Sequence, residues 1–366
     1  LLIYIIVPLL ALLPTWLTRA SADGRPAPGA AERWRYSYIF SVLALILFAG
    51  ARVNVGTDYS LYVSTFRQSE PDYLAYFLHN SPQETGFTLS VLALRMLSED
   101  PRILFLVSSL VTVGCAALAM RRMSVNFAVS LTLFMLLGFY IAPFNILRQG
   151  LAISLNFLAY SYFDKHRGRW LVLNVLAQLL HSSAVIAVVL QLVLRRVKPT
   201  WRVFGTMLLV STILAVSLAA FAPSLSFLSV LNERYLDYLQ NSQSGIGTYL
   251  YLLSRAALVA LLLVYRPRNG ELDRYIVLSM MGVCLLLLGT QAVAIGRLEL
   301  YFSIYLVVAL PRAAREIPPR GRQLVVAAVV IASLAFYFGY LSQFGGLLPY
   351  RFDWALVGLP GQVEGQ

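Results

Sequence analysis

Apolar residues run along this chain in stretches of about 20, separated by short polar and basic breaks. A helix rises about 1.5 Å per residue, so a stretch of that length matches the hydrocarbon thickness of a bilayer. Runs such as Val203 to Ala222 and Ile276 to Ala294 are apolar on every face. A membrane barrel strand would instead alternate over about ten residues, so these runs predict helices. Backbone amides in hydrocarbon must be paired within their own element, which helices achieve. The fold class predicted is all-α, a polytopic integral membrane protein with about ten transmembrane helices plus re-entrant or interfacial segments.

Composition agrees with that pattern. Of 366 residues, 59% are apolar and 13% charged, where a soluble chain carries about a quarter charged. Cys115 and Cys284 both sit inside apolar runs and offer neither a disulfide framework nor metal-ligand spacing. The first apolar segment lacks a small-x-small cleavage site and is followed by many more spans, so it reads as a transmembrane helix without its initiator methionine.

The formal net charge of +12 does not form one dense patch with interleaved aromatics, as a nucleic-acid surface would. Arg19, Arg25, Arg33 and Arg35 fall in one break, Arg121 and Arg122 in the next, then Lys165, Arg167 and Arg169. Arg195, Arg196, Lys198 and Arg202 follow, then Arg266, Arg268 and Arg274, and last Arg312, Arg315, Arg320 and Arg322. The positive-inside rule puts these loops in the cytoplasm. Spans then fall near 1–17, 36–51, 103–120, 125–142, 146–163, 203–222, 249–265, 275–294, 299–311 and 323–343, with both termini outside. Gly86 to Leu97 is too short to cross and reads as an interfacial or re-entrant helix. Leu171 to Leu194 has basic loops at both ends and Gln178, His181, Ser182 and Ser183 in its middle. It predicts two half-helices meeting at that cluster, the alternative being one crossing that breaks the charge rule. With no internal repeat or linker, 1–366 reads as a single transmembrane domain, carrying external loops at 52–101, with interfacial helices, and at 223–248.

Several basic residues remain on the external side, among them Arg52, Arg148, Arg234 and Arg297. They lie near Asp58, Glu84, Asn145, Gln149 and Glu299, so the external face reads as a polar, charged site. A guanidinium fork matches phosphate oxygens in pairs and keeps its charge when desolvated. Arg148 and Arg297 fall in the first turn of their predicted helices, where the macrodipole already favours an anion over a cation. Snorkelling to the interface is the simpler alternative for both. Asp58 follows Arg52 through Gly56, which allows a turn that folds the carboxylate back over the arginine. It could equally cap the helix that begins at Tyr59, and Glu84 ahead of Gly86 poses the same choice. His181, neutral if buried, is able to accept a proton or to serve as a hydrogen-bonded core residue. His79 and His166 are weaker candidates, and no metal cluster can be assembled. External tyrosines, including Tyr59, Tyr62 and Tyr235, suit either an interface belt or the faces of sugars.

The stretch Arg52-x-x-x-Gly56-Thr57-Asp58-Tyr59-x-x-Tyr62, the element Glu84-x-Gly86-Phe87 and Phe144-Asn145-x-x-Arg148-Gln149-x-x-Ala152 occur in order. His181-x-Ser183-Ala184, Arg234-Tyr235, Arg297-x-x-x-Tyr301-Phe302 and Tyr350-x-Phe352 follow them. This ordered set resembles the EpsG family, grouped with Wzy-type polymerases of bacterial exopolysaccharide and O-antigen. The resemblance implies a GT-C-like membrane glycosyltransferase on the outer face of the bacterial cytoplasmic membrane. Such an enzyme joins oligosaccharide repeat units carried on undecaprenyl diphosphate and needs neither a metal nor another cofactor. In that reading Arg148, Arg297, Arg52 and Arg234 hold the diphosphate, and Asp58, His181 or Glu84 takes the acceptor's proton. Tyr59, Tyr62, Asn145, Gln149, Tyr235 and Tyr301 would contact substrate. Membrane lipid, a chain-length regulator and a flippase are candidate partners. An O-antigen-ligase-like transferase and a transporter of lipid-linked sugars are the alternatives.

Overall fold

The structure is a computed structural model and describes residues 1–18, 30–69, 83–221, 245–267, 270, 272–343 and 345–352. Its regular structure is helical, apart from one isolated bridge between Arg52 and Phe352. The helices of the first half are α1 (Ile3–Leu17), α2 (Ala30–Gly50), α3 (Tyr59–Gln68), α4 (Thr85–Leu97), α5 (Arg102–Met123), α6 (Phe127–Leu136), α7 (Leu147–Tyr160), α8 (Arg167–Leu180) and α9 (Ala184–Leu194). Those of the second are α10 (Trp201–Phe221), α11 (Ile246–Val264), α12 (Asp273–Leu288), α13 (Val293–Gly296), α14 (Leu300–Ser303), α15 (Leu306–Ala313) and α16 (Pro319–Gln343). Most of the apolar runs that predict spans fall on helix, but 125–142 keeps α-helix only over Phe127–Leu136, 275–294 is broken by a turn at 289–292 and 299–311 is broken after Ser303. By length and composition α5, α10, α11 and α16 qualify as full crossings, and the segment from α13 to α15, bent by 45°, makes a fifth if counted as one. Exposed Leu209, Val210, Ile213, Leu214 and Val216 on α10 leave an apolar flank that suits lipid rather than water.

The chain divides into two compact units, Leu1–Val185 with Leu334–Gln366, and Ile186–Ser333. In the first, α5 packs against both α2 and α7, and α7 packs in turn on α8. Helices in an apolar solvent gain no hydrophobic drive from pairing, so close packing and hydrogen bonds hold them. Ser109 Oγ donates to the Ile46 carbonyl at 2.9 Å, and the Tyr140 hydroxyl to that of Leu45 at 2.7 Å. Asn156 Nδ2 donates to Asn174 Oδ1 at 2.7 Å between α7 and α8, each such bond contributing ~0.6 kcal/mol.

The C-terminal segment returns to this unit and binds the turn after α2. Val53 N–H donates to the Arg351 carbonyl at 3.0 Å and Gly56 N–H to that of Gly346 at 3.0 Å. Tyr350 stacks on Phe48 with centroids 4.3 Å apart. Gly56 and Gly345 have φ of +100° and +73°, a region that L side chains rarely adopt. A Cβ on Gly345 would also lie 1.7 Å from Asn145 Nδ2.

In the second unit α12 packs on α10, α11 and the α13–α14 region. Arg266 clasps Asp273 through Nε and Nη2, both at 2.6 Å, and gives Nη1 to the Pro199 carbonyl at 2.7 Å. This two-pronged pair ties Arg266, just after α11, to the first residue of α12.

Candidate active site

Glu84 stands in extended backbone immediately before α4, and its side chain does not cap that helix. It reaches instead to three residues from other elements. The approach depends on Gly86, where a Cβ would lie 2.6 Å from both the Cβ and the carbonyl oxygen of Leu179, so α4 comes against the end of α8 only with hydrogen at that position. The chain leaves α8 at His181 in extended conformation. Glu84 Oε1 accepts the Ser182 N–H at 3.0 Å and lies 3.3 Å from its hydroxyl. His181 Nδ1 is 2.7 Å from the same oxygen, a contact that is close but off the line of a well-formed hydrogen bond. Arg148 Nη1, from the first turn of α7, donates to Glu84 Oε2 at 2.5 Å.

The break between α8 and α9 keeps its other exposed amide satisfied, because Gln178 Oε1 accepts the Val185 N–H at 2.8 Å. Irregular backbone at membrane depth requires such partners. Beneath the cluster lies an apolar floor that includes Tyr59, Tyr62, Phe66, Phe87, Phe105 and Leu147. The Arg148 guanidinium sits 5.8 Å from the Phe87 ring centroid, and its Nε has no partner among the described residues.

Burial raises the Glu84 carboxyl, but His181, the Ser182 amide and the Arg148 charge outweigh it and bring it down to about 2. Glu84 is therefore ionised at neutral pH and too weak a base to take a hydroxyl proton. It can hold His181 in one tautomer, with the proton on Nδ1, and offset the charge of an imidazolium. Nε2 is then the ring nitrogen for proton transfer, and the His181 side chain is 24% exposed. Arg148 adds a cation that bonds Glu84 through Nη1 and also acts on the Tyr62 hydroxyl.

The elements that build this cluster all fall within residues 35–352, which match the model of the EpsG family. The chain belongs to the EpsG family. No curated protein and no solved structure matches it. EpsG membership agrees with a polymerase-like, glycosyltransferase-like role in exopolysaccharide synthesis for an integral membrane protein with transmembrane helices.

Of the EpsG-like residues singled out in the sequence, Glu84, Arg148 and His181 meet at one point. Asp58 lies nearby at the start of α3, where its side chain takes the Thr57 hydroxyl at 3.2 Å and makes no cap bond. Its charge and that of Arg148 both act on Tyr62, whose phenol is raised by burial and pulled back by Arg148. Asp58 makes no ion pair with Arg52 among the described residues, so the fold-back of one over the other does not form. Arg52 is 4% exposed, held between the Phe105 and Phe144 rings, and donates Nη1 to the Ala49 carbonyl. Asn145 Oδ1 accepts the Thr57 N–H at 2.9 Å and so braces the turn at Gly56. Gln149, Tyr59 and Tyr62 are buried, and Tyr59 stacks on Phe105 at 4.3 Å. These two rings serve packing rather than an open surface.

Arg297 and Tyr301 belong to the second unit. A turn at 289–292 restarts the helix at Val293, so Arg297 sits in a 3-10 turn, Arg297–Glu299, instead of the first turn of a helix. It is exposed there, while Tyr301 is 1% exposed. Arg234, Tyr235 and most of the loop 223–248 lie outside the described residues. Two features are absent from the sequence-derived site. Ser182, the closest hydrogen-bond partner of Glu84 on the main chain, was legible only as part of the polar cluster. In the second unit, Arg255 Nη2 donates to the Tyr251 hydroxyl at 3.1 Å, and that hydroxyl donates to Glu299 Oε1. Arg255 and Tyr251 are one helical turn apart on a qualifying span, a periodic pairing that could have flagged them.

Proposed function

We propose that this protein is a polysaccharide polymerase that joins oligosaccharide units carried on undecaprenyl diphosphate, at the outer face of a bacterial cytoplasmic membrane. The observation that carries the reading is the single carboxylate of Glu84 linking Arg148, His181 and Ser182. A cation and an imidazole held by one carboxylate supply the two demands of glycosyl transfer from a diphosphate. The acceptor hydroxyl oxygen attacks the anomeric carbon of the donor sugar, and the bond from that carbon to the diphosphate oxygen breaks. His181 Nε2 takes the acceptor's proton. The diphosphate leaves with the bonding electron pair, its growing charge offset by Arg148 through the guanidinium nitrogens that Glu84 does not use. Arg297, exposed on its 3-10 turn, is the second candidate for the diphosphate, with Arg234 in support. Arg52, being enclosed, has no part in this reading, and Asp58 remains the alternative base. Ten crossings with the basic loops inside put Glu84 and Arg148 on the outer side, and the apolar helices around them accommodate the isoprenoid tail.

The test is extension of purified lipid-linked repeat unit by the protein in detergent, where no membrane gradient exists. Products longer than the input support the polymerase. Unaltered substrate, together with repeat units trapped on the inner leaflet of a deletion strain, identifies a transporter instead. Topology is tested separately with an impermeant thiol reagent on whole cells. Cysteine at the exposed Ser60 should label and cysteine at the exposed Arg320 should not. The reverse pattern removes the outer-face site.

A further inference from the structure

Arg52 is a buried charged group that the proposed chemistry does not use. It is 4% exposed, and among the described residues no carboxylate pairs with it. Nη1 donates to the Ala49 carbonyl, while Nε is buried with no partner. The Phe105 and Phe144 rings, with centroids 4.9 and 4.4 Å from its central carbon, offset part of the charge. The nearby phenols are neutral donors committed elsewhere, Tyr140 to the Leu45 carbonyl and Tyr350 to that of Phe48. Among the described residues this buried cation has no negative partner, and isolated charge in an apolar interior is strongly disfavoured.

A cavity of about 20 Å³ adjoins this guanidinium, with Ser108 and Thr112 of α5 on its wall. That space holds one water-sized or halide-sized particle and is far too small for a diphosphate. Ser108 and Thr112 are one turn apart, so their hydroxyls share a face. Ser109 between them bonds the carbonyls of Ile46 and Leu106, whereas the hydroxyls of Ser108 and Thr112 make no hydrogen bond among the described residues. Ser108, Thr112 and Arg52 line the same small volume, and the cavity wall carries no carboxylate to repel an anion.

We infer that this cavity is a binding site for a small monovalent anion of chloride size, which supplies the counter-charge of Arg52 and locks α2 to α5. The inference is independent of the proposed polymerase chemistry, and its test uses no activity assay. Thermal unfolding of the purified protein in lipid nanodiscs is measured at constant ionic strength while gluconate is replaced by chloride or bromide. The midpoint should rise with halide and saturate. Thr112→Val, which keeps the shape but removes a hydroxyl, should raise the half-saturating concentration several-fold. Arg52→Gln should abolish the response; if that variant does not fold, Thr112→Val with Ser108→Ala decides. Asp353, beside Phe352 in the sequence, is a control: Asp353→Asn should keep the full halide response. Equal midpoints in chloride and gluconate, or an unchanged half-saturating concentration in Thr112→Val with Ser108→Ala, would overturn the site and leave a cavity that holds water only.

Discussion

Glu84 Oε1 and His181 Nδ1 lie 2.7 Å apart, and the same oxygen accepts the amide of Ser182. The carboxylate therefore holds both the imidazole and the backbone that carries it. A histidine at a break between two helices would otherwise sample several rotamers. Here its position follows from a contact with another helix start, made possible by hydrogen in place of a side chain at Gly86.

Glu84→Gln should preserve the shape of this cluster and remove its charge. Polymer formation is expected to fall at least tenfold, chiefly through turnover, because the imidazolium loses its counter-charge. The same variant reads out the linkage to pH. The Glu84 carboxyl is held near 2, below its ordinary 4.5, so the stability it contributes is fully present above about pH 4.5 and is lost as pH falls toward 2. The gap in unfolding midpoint between wild type and Glu84→Gln should be constant at neutral pH and shrink below about pH 4.5. A gap that widens on acidification would contradict the assignment.

Arg148→Lys tests the fork. Lysine keeps the charge and snorkels equally well, but it cannot donate in two parallel prongs. Loss of most polymer formation with little change in the unfolding midpoint is the expected result. Full activity would return Arg148 to a structural role.

His181→Ala and Asp58→Asn separate the two candidate bases. His181→Ala should lower the rate by a hundredfold or more, within the range for loss of a general base. Asp58→Asn, whose carboxylate accepts the neighbouring Thr57 hydroxyl, should cost less than tenfold. The opposite ranking would transfer the base to Asp58.

Much of this site can be traced to local sequence. The break at His181 to Ser183 is marked by polar residues inside an apolar run, and the first-turn place of Arg148 follows from the apolar run after it. The pairing of Glu84 with His181 is not legible in that way, since it depends on how two distant helices pack. Arg52 illustrates the limit: six residues from Asp58, it pairs across space with Phe352 and aromatic rings instead. Arg297 was misplaced because the apolar pattern does not reveal the turn at 289–292 that restarts the helix early.

Gly345→Ala should destabilise the fold by roughly 1–3 kcal/mol or more, the range for a side chain forced into positive φ. The new Cβ would also meet Asn145 at 1.7 Å. Adding Asn145→Ala should recover part of the lost midpoint by removing the clash, while the backbone strain persists. No loss in Gly345→Ala would show that the 345–352 segment does not bind the turn after α2 as described.

That return of residues 345–352 to the turn after α2 has a consequence for the order of synthesis. The first 185 residues leave the ribosome with nearly all of the site, yet Val53, Gly56 and Tyr4 still lack partners at Arg351, Gly346 and Leu347. Those partners are translated only after the whole of Ile186–Ser333 has been threaded into the membrane. Closure of the first unit is thus a late event that spans nearly the full chain, a long loop to close before its contacts are gained. Until then the first unit stays unclosed, and a chain stopped before Gly346 would leave Tyr4, Val53 and Gly56 without these partners.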